Sequence, residues 1–292
     1  PAALCYRTFY AFCNALGKPR VLMGIGLVSL GIHAVLARGL ALEGWLGEPL
    51  GVAGCALSNV MIGWAACLSG AAYLAWGPLR ATYRPFADWQ LPRWPGAREL
   101  LRIGLPMGFS NLVEITSFTL IALFIASLGA PVVAGHRVVA NLSALVYMLP
   151  LSLAIATMAA LGQAVGARDR LRARATIRAG LLLSAGLSSL MGLLLWLAAE
   201  PLIAAYTDDP AVRTVAGGLI GYIAFYQFFD ALQTVAGHCL RAYRVTFLPM
   251  VVQTFCFWGI GLLGGAWLCY RWQPPFGVAG FWLAAVVSLV LA

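Results

Sequence analysis

Charge is what this 292-residue chain has least of: 10% of its residues are Asp, Glu, Lys or Arg, against about a quarter in soluble domains. So little charge cannot cover a water-facing surface, which excludes an ordinary soluble globular fold. The seven cysteines, at 5, 13, 55, 67, 239, 256 and 269, form no CxxC pair and read as small buried hydrophobes. The three histidines, His33, His136 and His238, form no HExxH or HxxxH pattern, so no metal site is expected. Gly17-Lys18 is followed by Pro19, so there is no P-loop and no sign of direct ATP use. The GxGD motif of intramembrane aspartyl proteases and the DxxxD clusters of prenyl-transferring enzymes are missing too, which leaves an intramembrane enzyme as a weaker alternative.

Hydrophobic residues make up 62% of the chain, in runs of about 20 residues that recur from end to end. Barrel strands need only about ten residues with strict alternation, which these runs lack, so the fold class is an all-α polytopic membrane protein. Spans are expected at about 1–16, 21–42, 51–76, 103–128, 132–165, 175–200, 211–240, 245–270 and 277–292.

The net charge of +9 is explained by where it sits. Arg7, GKPR (17–20), the segment 80–102, GARDRLRARATIR (166–178) and LRAYR (240–244) hold fifteen of the nineteen basic residues. Arg38, Arg137, Arg213 and Arg271 fall on the opposite side. This is the positive-inside pattern, placing the Arg-rich loops in the cytoplasm of a bacterial inner-membrane protein. No nucleic-acid partner is needed. The partners expected are membrane lipids and small molecules, and ARDRLRARATIR reads as a topology signal in preference to a specific lipid site.

GVAG at 51–54 returns at 277–280, and the same offset aligns Thr8 with Thr234, Cys13 with Cys239 and Lys18 with Arg244. Agreement in register and loop sidedness points to an internal duplication whose copies run in the same sense across the membrane. Two six-helix bundles related by an axis along the membrane normal follow, the first bundle incomplete and the last span cut short. The expected organisation is 1–79 as the end of the first bundle, 80–102 as a cytoplasmic linker and 103–292 as the second bundle. A parent of about 450 residues is then expected, with roughly its first quarter preceding residue 1.

Sorting the acidic residues by depth leaves Glu114 and Asp230 alone within spans, each roughly 15 Å from the inner end of its helix at 1.5 Å per residue. That is the midplane of a hydrocarbon core about 30 Å thick. A charged side chain there costs roughly 2.5–3.5 kcal/mol on insertion scales, so both are functional candidates. Polar stripes accompany them: Ser110, Asn111 and Ser117 with Glu114, and Tyr226, Gln227, Gln233 and Thr234 with Asp230. Lipid cannot solvate such faces, so they should line a cavity; the competing reading is a polar lock between packed helices. Carboxylates in such a cavity attract cations or carry protons, and Tyr226 could add its hydroxyl or ring face. GGLIG (217–221) and GIGLLGG (259–265) read as close-packing faces, and Pro106, Pro131, Pro150 and Pro201 as helix starts or kinks.

GLPMGFSNLVE (104–114), SLGAPVVAGHRVVAN (127–141), GQAVGARD (162–169), YQFFD (226–230) and LRAYRVT (240–246), in this order over nearly the whole chain, resemble the second half of a multidrug and toxin extrusion (MATE) transporter of the NorM-like branch. The resemblance implies twelve helices in two bundles and export of organic cations in exchange for Na+ or H+, with no cofactor. It matches Glu114 to the branch's seventh-helix cation-site glutamate, and Asp230 and Tyr226 to the tenth-helix carboxylate and its aromatic neighbour. A Na+ at Glu114 and Asp230, cationic or amphipathic drug substrates and a monomer are the corresponding expectations. Arg137 stands where the family usually has Gln, and His33 where Asn is common. A lipid-linked oligosaccharide flippase of the same superfamily is the alternative, though it would favour basic groups at mid-depth.

Overall fold

The structure, a computed structural model, describes residues 1–45, 47–77, 94–272 and 276–292. All the regular elements among them are helices. They form two compact units, Pro1–Pro92 and Arg93–Ala292.

The first unit holds α1 (Ala2–Ala15), α2 (Pro19–Ala41) and α3 (Val52–Trp76). Pro19 sits in the first turn of α2, where its missing N–H costs no helix bond. Phe9, Cys13 and Leu22 form the small core, and Gly70 lets the Phe9 ring lie against the α3 backbone. Elsewhere the large side chains of α2 point outward, as lipid-facing spans require: Leu27, Val28 and Leu30 are all exposed.

The second unit holds α4 (Trp94–Ile125), α5 (Ala130–Gly166), α6 (Arg170–Leu197), the short α7 (Ala199–Ala204), α8 (Pro210–Ala242), α9 (Phe247–Tyr270) and α10 (Val278–Leu291). Its hub is α8, with 44% of its most apolar window buried against 28% or less for the other long helices. Leu219, Ile223 and Tyr226 of α8 meet Val113 of α4, Val139 of α5 and Trp282 and Leu289 of α10 in the main core. Asp169 and Asp209 cap α6 and α8, their carboxylates accepting the backbone N–H of Arg172 (2.9 Å) and Ala211 (2.8 Å).

Several expected features shift. The first span of this unit begins nine residues early, at Trp94, so 94–102 of the expected linker are helix; residues 80–93 lie outside the described residues. Arg98 and Arg102 are compatible with helix extension, and Glu99 is held by Arg244 at 2.6 Å. The span expected at 175–200 starts at Arg170, because Asp169 supplies the cap, and breaks before Ala199. Helix α9 changes to π geometry over Phe255–Gly264. Pro131 and Pro201 lie in the first turns of α5 and α7, whereas Pro106 and Pro150 lie inside helices.

The duplicated GVAG has one local geometry in both copies. Gly51 and Gly277 precede their helices with left-handed backbone, φ 54° and 57°, a conformation that favours glycine. Gly54 and Gly280 each press onto the end of the preceding helix. A Cβ on Gly54 would stand 2.7 Å from the Leu40 carbonyl, and one on Gly280 3.0 Å from the Cys269 nitrogen. In GIGLLGG, Gly265 packs against Phe281. GGLIG behaves differently from its expected role: Gly217, Gly218 and Gly221 face open space, since the close approach of α6 to α8 falls at Gly192, opposite the Ala224 carbonyl.

Candidate cation-binding cavity

Of the ten acidic residues, five have surface duties. Glu43 pairs with Arg38, Asp208 with Arg213 and Glu99 with Arg244, while Asp169 and Asp209 cap helices. Glu114 and Asp230 make no hydrogen bond or ion pair among the described residues, although they lie deep in long apolar helices.

A cavity of about 810 Å³ opens within the second unit. From α4 it is lined by Ser110, Asn111 and Glu114, and from α8 by Gln233 and Thr234, five of the nine residues expected at the site. These α4 residues share a face because they follow the i, i+3, i+4 spacing, and the α8 residues face them across the cavity. Glu114 is half-buried on the cavity wall. Asp230 is 6% exposed and lies behind the residues that line the cavity.

The other three expected residues pack between helices. Gln227, 1% exposed, accepts from the Ser143 hydroxyl at 3.2 Å and donates to the Ser143 carbonyl at 3.3 Å. Ser117 donates to the Phe257 carbonyl at 3.3 Å, tying α4 to the π segment, where Trp258 also donates to the Thr116 hydroxyl. Tyr226 lies edge-on to Phe118 and Trp282, with ring centroids 6.2 and 5.6 Å away. Its ring is thus occupied by other aromatics instead of being open to a cation. The two polar stripes combine both readings, with Glu114, Asn111 and Gln233 on the cavity and the hydrogen-bonded locks of Ser117 and Gln227 elsewhere on the same helices.

Four polar cavity residues were not expected at the site from the sequence: Tyr147 of α5, His238 and Arg241 of α8, and Gln253 of α9. The Tyr147 hydroxyl accepts from Thr234 at 3.5 Å, and its i+4 spacing from Ser143 was the legible signal. His238 is held by the Thr234 carbonyl at 2.8 Å through Nδ1. His136 is buried against the Trp282 ring. Among the described residues no three His, Cys, Asp or Glu side chains gather as a metal cluster.

Glu114 is the acidic group on the wall, and the side-chain oxygens of Ser110, Asn111, Gln233 and Thr234 line the same cavity. A bound cation would offset the charge of Glu114. The cavity is wide enough for a drug-sized molecule.

Long apolar helices around a partly polar cavity have the form of a multi-pass membrane protein. Solved structures share that fold: the eukaryotic MATE transporter AtDTX14 superposes with a TM-score of 0.89 over 98% of this chain and 62% of that one, at 18% identity. A variant of the Vibrio cholerae MATE transporter VcmN gives 0.83 over 98% and 62%, at 17% identity. In sequence, the MatE family model matches residues 106–267, and the chain belongs to that family. It is 54% identical over its whole length to the "Probable multidrug resistance protein NorM" of Aromatoleum aromaticum, and 35% identical over 99% of its length to the "Multidrug resistance protein PmpM" of Pseudomonas aeruginosa. The chain spans 64% and 61% of these two relatives, which are named as drug-resistance proteins and not as enzymes.

Proposed function

We propose that the protein is a secondary multidrug efflux transporter, exchanging small cationic or amphipathic compounds for Na+ or H+ across the bacterial inner membrane with its Arg-rich loops in the cytoplasm. One observation carries the reading: Glu114, deep in its span, lines a drug-sized cavity, Asp230 is buried deep in α8, and no ion pair among the described residues neutralises either. The names of the relatives supply the substrate class. Glu114, on the wall, meets the incoming cation. Asp230 stands behind it as the second charge, so that coupling ion and cationic substrate compete for one pair of carboxylates. Membrane lipid surrounds the exposed leucines, and the gradient takes the place of any cofactor.

Ethidium efflux from proteoliposomes containing the protein at the length of its relatives tests this, with an imposed Na+ gradient in one arm and a pH gradient in the other. Efflux should follow one of the two gradients and be lost in Glu114→Gln. Gradient-driven efflux that survives Glu114→Gln removes the cation-site reading, and efflux driven by neither gradient removes the antiport.

A further inference from the structure

Arg241 sits in the last turn of α8 and lines the same cavity as Glu114. Side chains on a helix lean toward its N-terminus, so the Arg241 stem runs back along α8 toward His238, Thr234 and the carboxylates. The neighbouring Arg244 is taken up by Glu99, and His238 by the Thr234 carbonyl. Arg241 alone of these three basic residues makes no ion pair or hydrogen bond among the described residues, and it is half-buried on the wall of the cavity that Glu114 also lines. The cavity therefore holds one reachable carboxylate and one long, flexible, permanently charged guanidinium.

We infer that Arg241 is a tethered competitor for Glu114: its guanidinium swings onto the carboxylate when the cavity is empty and is displaced when a transported cation binds. This rests on the reading of Glu114 as a cation site and adds a residue that sets how tightly the site binds. An empty site with Arg241 on Glu114 carries no uncompensated carboxylate on its wall, so the protein can change conformation unloaded at lower electrostatic cost. A cation binds Glu114 only by displacing Arg241, and that competition weakens binding and speeds release.

Ethidium binding to the purified, relative-length protein, followed by fluorescence anisotropy, tests the inference in four forms: parent, Arg241→Gln, Glu114→Gln and the double variant. Arg241→Gln should tighten ethidium binding about tenfold, the scale for a unit charge acting through partly hydrated protein. It should also slow turnover at saturating ethidium. In the Glu114→Gln background the same change should have no effect on affinity. Arg241→Lys should bind like the parent, and Arg241→Met, which keeps the stem's packing, stands in if the Gln variant does not accumulate. Unchanged or weaker binding in the charge-removing variants overturns the role of Arg241 while leaving Glu114 as the site. Parent-like binding in Glu114→Gln alone overturns the underlying site reading instead, so the two failures are distinguishable. A tightening that persists in the double variant also refutes competition at Glu114.

Discussion

Asp230→Asn should separate function from stability more cleanly than any other single change. Asp230 is 6% exposed and makes no hydrogen bond or ion pair among the described residues, so nothing in the packing depends on its charge. An aspartate at the centre of a membrane helix costs roughly 2.5–3.5 kcal/mol on insertion scales. The cavity beside it relieves part of that cost, so neutralising it should stabilise the folded protein by about 1 kcal/mol, or a rise of about 2–4 °C in melting temperature. Transport should move the opposite way: without the second carboxylate, a cation at Glu114 loses a unit charge within reach, and gradient-driven ethidium efflux should fall at least about tenfold. Thermal unfolding in detergent, read by size-exclusion chromatography, and efflux from proteoliposomes give the two numbers on one preparation. Loss of several degrees with efflux lost in proportion would refute the reasoning and mark Asp230 as a structural lock. Undiminished coupling with Asn at the position would refute it from the other side.

Gln227→Leu makes the contrasting case. It leaves the buried Ser143 hydroxyl without its side-chain acceptor and should lower stability by about 1–2 kcal/mol, measured as a fall in melting temperature, while residual folded protein keeps its coupling. Gly54→Ala would push a methyl group to 2.7 Å from the Leu40 carbonyl and should cost about 1–3 kcal/mol, whereas Gly221→Ala, facing open space, should stay within about 0.5 kcal/mol by the same melting assay. For topology, a lone cysteine placed at residue 170 should resist membrane-impermeant thiol reagents in intact cells and react in inverted vesicles; labelling from outside would reverse the proposed orientation.

Composition and run length determined the helical membrane fold, because without water a spanning backbone must satisfy its own hydrogen bonds and about twenty apolar residues are needed to cross. The duplicated GVAG was legible for a similar local reason: left-handed backbone at Gly51 and Gly277 and close approach at Gly54 and Gly280 both require glycine, so the letters carry the geometry. The depth of Glu114 and Asp230 could likewise be counted along the helix, at a fixed rise per residue. Rotation about the helix axis settled the rest, and a sequence read one helix at a time does not contain it. Gln227 and Gln233 stand on one polar stripe, yet Gln227 meets Ser143 of α5 and Gln233 meets the cavity, because α8 is covered by different neighbours at the two heights. GGLIG has the letters of a packing face, but α6 approaches α8 at Gly192 instead. Arg241 counted in the sequence only as a basic residue marking the inner end of its helix. Packing of α5, α6 and α10 on α8 left Arg241 on the wall of the cavity that Glu114 of α4 also lines, and a charge acquires a partner only when another helix brings one within reach.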